Sequence, residues 1–217
     1  MGGLTKFNLQ PWIQDYNIKT FIETGVGHEG NGVAHAQKYD FDKILSVDID
    51  KIFYERAVDK FKNDARVDIH YNDSKLFLKE VLPIQGNILF WLDAHFPNSY
   101  LIGHDEFAID MVKVKKWEQN DKPNDDYINK TPEDIRMPLE KELSIIVEKQ
   151  DISNCVFIID DYRCYEPESG NFSGGKHTNR NVLGNSKDSS FFTKLLGKTH
   201  NLKIDRSDSG YLIATPK

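Results

Sequence analysis

The chain alternates short, β-rich apolar runs with segments of helical periodicity, and this alternation limits the folds that are open to it. We predict strands over 20–24, 43–48, 67–71, 87–93 and 155–160. We predict helices over 30–39, 51–63, 74–81 and 138–149. Because a helix can return the chain to the start of the next strand, this order is typical of a parallel sheet with helices on both faces.

The end of the chain departs from that alternation. A predicted helix over 189–196 leads to two β-rich runs, 202–205 and 211–214, with the polar turn 207–210 between them. Two strands joined by a short turn that contains glycine form an antiparallel hairpin. The sequence therefore predicts an α/β sheet that is mostly parallel and that a C-terminal hairpin completes.

The turn after the first strand carries the strongest sign of function. Residues 25–30 read Gly-Val-Gly-His-Glu-Gly, a G-x-G-x-x-G pattern between a strand and a helix. Glycines let the backbone turn tightly and let a ligand approach, while free N–H groups at the helix start face it. We interpret Gly25, Gly27 and Gly30 as a nucleotide-cofactor loop, although an ordinary strand-to-helix turn can have the same glycines. Asp48, at the end of the second strand, stands where a carboxylate binds a ribose diol.

The acidic residue Glu23 decides between the cofactors that such a loop can bind, which are NAD, FAD and S-adenosylmethionine. A dinucleotide places a diphosphate over the turn, and the carboxylate of Glu23 would repel it in a partly dry site. S-adenosylmethionine has no phosphate, and it brings an ammonium and a sulfonium group that an acidic side chain attracts. The sign of the charge therefore favours S-adenosylmethionine, with Glu23, Thr24 and the glycine loop among its binding residues.

The composition argues against several classes of function. The chain has 217 residues, 39% of them hydrophobic, which is enough for one domain over 1–217. A net charge of −6 offers no basic face to a nucleic acid. The apolar runs are too short to cross a membrane, and two cysteines in no metal or redox spacing suit a reducing compartment. We expect a soluble, cytoplasmic protein with a small-molecule partner and with neither a nucleic-acid nor a membrane partner.

Two long polar stretches interrupt the compact order, at 97–136 and 164–187. Both follow strands whose carboxyl ends should face the cofactor. Loops of this length are usually functional or disordered. We interpret the two stretches as lids over an acceptor, with a short helix over 107–117 in the first; solvated insertions are the alternative.

Acidic side chains follow the fourth and fifth strands, in the runs Asp93-Ala94-His95 and Asp160-Asp161. Adjacent parallel strands lie about 4.8 Å apart, so these residues can reach one site beyond the carboxyl ends of the strands. Three carboxylates so close repel one another unless they are protonated, hydrogen-bonded or joined by a cation. A divalent ion suits this cluster, because Mg²⁺ prefers oxygen ligands and keeps waters that substrate oxygens can replace.

With the glycine loop, the acidic runs and the C-terminal hairpin, the chain resembles the class I S-adenosylmethionine-dependent methyltransferases. The resemblance implies a Rossmann-like, seven-stranded sheet of order 3-2-1-4-5-7-6. The acidic runs are similar to those of divalent-metal O-methyltransferases of the catechol, caffeoyl-CoA and macrocin types. A closer likeness is to bacterial small-molecule and sugar methyltransferases, which carry Asp-x-His, Asp-Asp and a Pro-Leu-x-x-Glu-Leu helix start like 138–143 here.

The resemblance implies a role for each matching residue. The implied metal ligands are Asp93, Asp160 and Asp161. Asp73 and Ser74 stand where methyltransferases contact the adenine, and Asp93 also lies next to the cofactor. The catechol type usually has a lysine base near the fourth-strand motif, whereas this chain has His95. His95 and Asp93 are therefore the implied catalytic residues, with His95 either the general base or a residue that orients the carboxylates.

We expect O-methylation of a small hydroxylated acceptor, such as a saccharide or a secondary metabolite. S-adenosylmethionine would be the methyl donor. Mg²⁺ or another divalent cation would lower the pKa of the acceptor hydroxyl. Two rivals stay open: an NAD(P)-dependent oxidoreductase on a Rossmann sheet, and a non-catalytic binding module on the same fold. The sequence also leaves open N-methylation, the identity of the acceptor and the oligomeric state, a homodimer included.

Overall fold

The computed structural model describes residues 3–95, 131–166, 171–173 and 188–217. Most of the two predicted insertions lies outside the described residues, and so does the helix predicted over 107–117. The role of the insertions as lids and the assignment of 1–217 to a single domain therefore stay predictions.

A mixed sheet runs through the middle of the described residues. Its strands are β1 (Ile18–Thr24), β2 (Lys43–Asp48), β3 (Val67–Tyr71), β4 (Asn87–Leu92), β5 (Val156–Ile159), β6 (His200–Asp205) and β7 (Tyr211–Pro216). Their order across the sheet is β3-β2-β1-β4-β5-β7-β6. The strands β1 to β5 pair in parallel, whereas β7 is antiparallel to both β5 and β6. This topology confirms the predicted fold, including the C-terminal hairpin.

Helices connect and cover these strands. They are α1 (Gln10–Asp15), α2 (Asn31–Ala36), α3 (Lys51–Phe61), α4 (Ser74–Val81), α5 (Glu133–Arg136), α6 (Leu139–Lys149) and α7 (Ser190–Leu196), with 3₁₀ turns at Leu4–Lys6 and Tyr162–Cys164. Within the described ranges, no helix combines the length and the apolar character needed to cross a membrane.

The predicted bounds of the helices and strands agree with the structure within two residues, with one exception. The helix predicted over 30–39 is shorter, because the N–H groups of Lys38 and Tyr39 bond to carbonyl groups three residues back and so end the α-helical pattern. The last four residues of the first predicted insertion, 97–136, form α5.

The sheet is buried on both faces because helices cover each of them. On one face, α4 and α6 contribute Phe77 and Leu143 to the core. On the other face, α2 and α3 contribute Val33 and Phe53. Alternate side chains of β4 belong to the two cores, as the pleat of a strand requires. With both faces covered, the carboxyl ends of the parallel strands form the edge at which polar side chains gather.

Aspartate side chains start the two helices that follow β2 and β3. Asp50 accepts hydrogen bonds from the N–H groups of Ile52 and Phe53, at 2.8 and 3.3 Å. Asp73 accepts one from the N–H of Lys75 at 2.8 Å. Such caps satisfy N–H groups that have no partner inside the helix. They also fix both carboxylates at the edge of the sheet where the strands end.

Candidate active site

Gly25 fixes the glycine loop against the tip of β4. Its φ of +85° lies in the left-handed region, and a Cβ at this position would lie 2.7 Å from the carbonyl oxygen of Asp93. The N–H groups of Gly25 and Val26 both donate to the carbonyl oxygen of Val47, at 2.9 and 3.1 Å. Since a larger residue would collide with the backbone that follows β4, glycine lets the ends of β1, β2 and β4 come together.

The carboxylate of Asp48 joins the glycine loop to β2. Its Oδ2 accepts a hydrogen bond from the N–H of Gly27 at 2.9 Å, and its Oδ1 accepts one from the N–H of Asp50 at 2.8 Å. Asp48 is 8% exposed. Burial raises its pKa to about 6, although the backbone hydrogen bonds favour the charged form. Backbone donors therefore hold the predicted ribose-binding carboxylate in place.

Glu23 lies buried at the end of β1, behind the glycine loop. It is 1% exposed, and its Oε2 accepts a hydrogen bond from the hydroxyl of Ser46 at 2.5 Å. Its Oε1 lies against Gly32, where a Cβ would clash with it. Burial raises the pKa of Glu23 to about 8, although the hydrogen bond from Ser46 opposes this. Gly32, outside the predicted loop motif, is thus the residue that makes room for Glu23.

A cavity opens between the glycine loop and the residues after β4. Its described lining includes residues from both predicted groups, which the fold brings together. These are Gly25, Gly27, Asp48, Asp73 and Ser74 from the cofactor group, and Asp93 and His95 from the carboxylate group. Three residues predicted to bind the cofactor are not in that described lining: Glu23, Thr24 and Gly30. Their contact with a cofactor stays a prediction.

Sequence reasoning missed several residues of this cavity, and three of them bring a charge or an aromatic ring to its wall. Asp50 and Phe53, at the start of α3, both line it. Lys75 lines it as well, and its Nζ lies 3.1 Å from Oδ2 of Asp73 and donates to the carbonyl oxygen of Asp134 at 2.6 Å. The helix-capping position of Asp50 was a usable signal in the sequence. The position of Lys75 depends in part on a contact between distant parts of the chain.

His95 bridges two of the predicted metal ligands. Its Nδ1 lies 3.3 Å from Oδ1 of Asp93, and its Nε2 lies 2.7 Å from Oδ2 of Asp161. Burial opposes the charged imidazolium, but the negative charges of Asp161, Asp93 and Asp160 outweigh it and raise the pKa of His95 to about 10. In this arrangement His95 carries a proton at neutral pH and balances the charge of the carboxylates that hold it.

The two aspartates after β5 have different partners. Oδ1 of Asp160 accepts hydrogen bonds from the hydroxyl of Ser209 and the N–H of Asp161, both at 2.7 Å. Oδ1 of Asp161 accepts one from Nε of Arg163 at 2.8 Å, while its Oδ2 faces His95. Burial raises the pKa of Asp160 to about 6, and the charge of Asp161 adds to that effect. Arg163, whose partner the sequence left open, thus pairs with Asp161.

The described residues give no support to the predicted metal site. Among the described residues, no group of three or more His, Cys, Asp or Glu side chains is placed to hold a metal ion. Both oxygens of Asp161 are engaged by side-chain cations, His95 and Arg163. These cations supply the positive charge that the sequence assigned to a metal. Binding of Mg²⁺ by Asp93, Asp160 and Asp161 therefore stays a prediction.

A second, smaller cavity adjoins the first and shares part of its wall. The acidic and aromatic part of its described lining consists of Asp93, His95, Glu142, Asp160, Asp161 and Tyr165. Glu142 belongs to the helix-start motif at 138–143, but sequence reasoning gave it no role. Its position among the buried apolar residues of α6 was the signal that could have singled it out.

Solved structures match this chain over nearly its whole length. A presumed caffeoyl-CoA O-methyltransferase from Staphylococcus aureus matches with a TM-score of 0.56 and 13% identity, over 100% of this chain and 85% of that one. A presumed methyltransferase from Streptococcus mutans, in complex with SAH, matches with a TM-score of 0.51 and 11% identity, over 97% and 98%. No protein-family model and no curated protein matches the sequence.

A solved structure that is not named as a methyltransferase also matches this fold. Spermidine synthase from Thermotoga maritima matches with a TM-score of 0.52 and 11% identity, over 94% of this chain and 56% of that one. Identities this low establish the fold alone, and one fold can serve several reactions. The chain therefore has the Rossmann-like fold of these methyltransferase structures, and its function has to be argued from its site.

Proposed function

We propose that this chain is an S-adenosylmethionine-dependent methyltransferase that acts on a hydroxyl group of a small acceptor. The main support for the proposal is that one cavity contains both predicted groups of residues. The glycine loop and Asp48 line it together with Asp93 and His95. A donor held over the glycine loop can extend toward the carboxylates in that cavity. Donor and acceptor would then meet in one place, which is the main requirement for group transfer.

The charge of the cavity supports S-adenosylmethionine over a dinucleotide. Four aspartates line it, Asp48, Asp50, Asp73 and Asp93, against two cationic side chains of the described lining, Lys75 beside Asp73 and His95 beside Asp93. A wall of this kind attracts a sulfonium and an ammonium group, whereas it repels a diphosphate. Glu23 is outside this described lining and keeps a proton near neutral pH, so the charge argument depends on the carboxylates of the cavity instead of on Glu23.

Methyl transfer demands little chemistry from the protein, because the sulfonium already makes the methyl group electrophilic. A lone pair of the acceptor oxygen forms the new bond to the methyl carbon while the carbon–sulfur bond breaks, and the sulfur keeps that electron pair. The hydroxyl proton passes to a base, for which His95 stays the predicted residue. With a pKa of about 10, His95 has to release its own proton before it can act as that base.

Divalent-metal assistance stays a prediction from the sequence, and the described residues give it no support. A metal that took Asp161 as a ligand would have to displace His95 and Arg163 from its oxygens. We therefore assign the neutralisation of the carboxylates to these two cations. Activity that is lost in EDTA and restored by Mg²⁺ would contradict this assignment.

Transfer of label from S-[methyl-¹⁴C]adenosylmethionine to small hydroxyl compounds tests the proposal. Catechol and glucose represent the two acceptor chemistries, a phenol and a saccharide. We expect labelled product with the wild-type protein and a loss of about 100-fold or more with Asp93→Ala. Asp59→Ala, which removes an exposed aspartate of α3, is the matched control and should keep full activity. Equal activity in the two variants would contradict a role for Asp93 in the reaction.

A further inference from the structure

Glu142 has a buried carboxylate oxygen without a hydrogen-bond partner. The residue is 1% exposed, and within the part of the chain that the structure describes, its Oε1 is buried and unpartnered. Its Oε2 accepts from the hydroxyl of Thr24 at 3.5 Å, which is the long limit of a hydrogen bond. A buried carboxylate with an unsatisfied oxygen is costly, and native proteins keep few of them. The presence of one in α6 needs a physical reason.

The surroundings of Glu142 supply that reason. The side chain lines the small cavity, which shares Asp93 and His95 with the cofactor cavity. The small cavity has a volume of about 10 Å³, which is room for about one water-sized group. Thr24, the donor to Oε2, directly precedes the glycine loop. Glu142 thus contacts the end of β1 and borders a space that can hold a single small polar group.

We propose that Glu142 binds the acceptor, and that its Oε1 accepts a hydrogen bond from the hydroxyl group that is to be methylated. This inference rests on the proposed methyltransferase function and deepens it, because it names the residue that recognises the reacting group. The hydroxyl has one proton, so on this inference the base that takes it is Glu142 rather than His95. A hydroxyl is of the size that the small cavity admits, and it supplies the donor that Oε1 lacks. Burial raises the pKa of Glu142 to about 7, although hydrogen bonding to the carboxyl group by the hydroxyls of Ser74 and Thr24 and the charge of Lys75 oppose this. The ionised form of Glu142 is therefore accessible near neutral pH.

The proposal has a consequence for the product. A methyl ether has no O–H group, so the methylated product cannot donate a hydrogen bond to Oε1 of Glu142. After the transfer, the buried Oε1 again has no hydrogen-bond donor. The product is therefore bound more weakly than the acceptor. Glu142 would therefore favour both release of the product and a single methylation of each hydroxyl.

Crystals of the protein with S-adenosylhomocysteine, soaked in methanol as the smallest hydroxyl probe, test the contact. We expect the oxygen of methanol or of a water molecule at about 3 Å from Oε1 of Glu142. A protein N–H or O–H group on Oε1, or the absence of any donor there, would overturn the proposal.

Thermal unfolding of Glu142→Gln separates a role in acceptor binding from a role in stability. Because the variant removes a buried charge that the fold does not satisfy, we expect its melting temperature to rise by about 3 °C or more. Glu140→Gln, which removes an exposed charge from the same helix, is the matched control and should change little. A melting temperature for Glu142→Gln that falls below that of the control would overturn the proposal.

The failure of this proposal can be told apart from failure of the proposed function. Calorimetry with S-adenosylhomocysteine should give the same dissociation constant, within about twofold, for wild type and Glu142→Gln, since that residue contacts the acceptor. If the wild type does not bind S-adenosylhomocysteine, the methyltransferase function fails. If it binds but Oε1 has a protein donor or the variant unfolds earlier, the role of Glu142 alone fails.

Discussion

The proposed site has a cofactor side and an acceptor side, and the carboxylates on the two sides have different kinds of hydrogen-bond partner. On the cofactor side, Asp48 and Asp73 accept hydrogen bonds from backbone N–H groups. On the acceptor side, Asp93 and Asp161 face the side chain of His95, and Glu142 has an oxygen without a partner in the described residues. Backbone donors are fixed once the strands and helices form, whereas side chains can exchange partners. The comparison suggests a preformed cofactor side and an acceptor side whose charges rearrange around a substrate.

Substitution of Gly25 should disrupt the cofactor side of the site and should have the largest effect on cofactor affinity. In Gly25→Ala the new methyl group would meet the carbonyl oxygen of Asp93 at 2.7 Å, at a φ of +85°. We expect affinity for S-adenosylhomocysteine to fall by about 100-fold or more in calorimetry, because the loop has to move. Gly86→Ala is the control, since Gly86 has a φ of +96° but no heavy atom within 4 Å of its Cβ position. Equal losses in both variants would contradict the account of the loop.

The buried Glu23 should make the folded state less stable as the pH rises. Its pKa is about 8 in the folded chain against an ordinary 4.5. Between these values the folded state keeps a proton that the unfolded state has lost, so stability present below about pH 4.5 declines up to about pH 8. Between about pH 5 and 8, we expect the melting temperature of the wild type to fall further than that of Glu23→Gln. The difference between the two falls should be about 5 °C or more. Melting temperatures that change in parallel with pH for the two proteins would show that Glu23 is charged over this whole pH range.

A milder change on the cofactor side is Asp48→Asn. The amide oxygen can still accept a hydrogen bond from Gly27, but the amide nitrogen cannot accept one from the N–H of Asp50. We expect affinity for S-adenosylhomocysteine to fall by about tenfold in calorimetry. Asp42→Asn, at an exposed aspartate just before β2, should leave the affinity unchanged. An unaltered affinity in Asp48→Asn would mean that its carboxylate does not hold the ribose.

On the acceptor side, Asp161→Asn should lower the pKa of His95. The charge of Asp161 favours the imidazolium at a distance of 2.7 Å and helps to raise its pKa to about 10. NMR titration of His95 should therefore show deprotonation at lower pH in Asp161→Asn, and no change in Asp151→Asn, whose aspartate is exposed. A wild-type His95 that already titrates near pH 6.5 would contradict the proposed charge balance.

Local signals explain why much of the fold could be predicted from the sequence. The bounds of β2, β3 and α4 match the predictions for 43–48, 67–71 and 74–81. Asp73 shows why, since an aspartate just before a helical run predicts a capped helix start, and the structure has that cap. The cofactor side depends on such backbone features and was therefore largely visible in the sequence.

The acceptor side could be predicted only in part, because it depends on contacts between distant side chains. The sequence showed that Asp93, Asp160 and Asp161 would repel one another, but it could not choose between protonation, hydrogen bonds and a cation. Glu142 and Thr24 are 118 positions apart. Their contact depends on the packing of α6 against the sheet, which no local pattern encodes.

The central claim, a site for S-adenosylmethionine rather than a dinucleotide, is tested most directly by calorimetry of the wild-type chain with two ligands. The account predicts that S-adenosylhomocysteine binds one per chain with a dissociation constant of about 1–100 μM, and that NADH gives no binding heat up to about 1 mM. Binding of NADH in the same range, with no heat from S-adenosylhomocysteine, would contradict it.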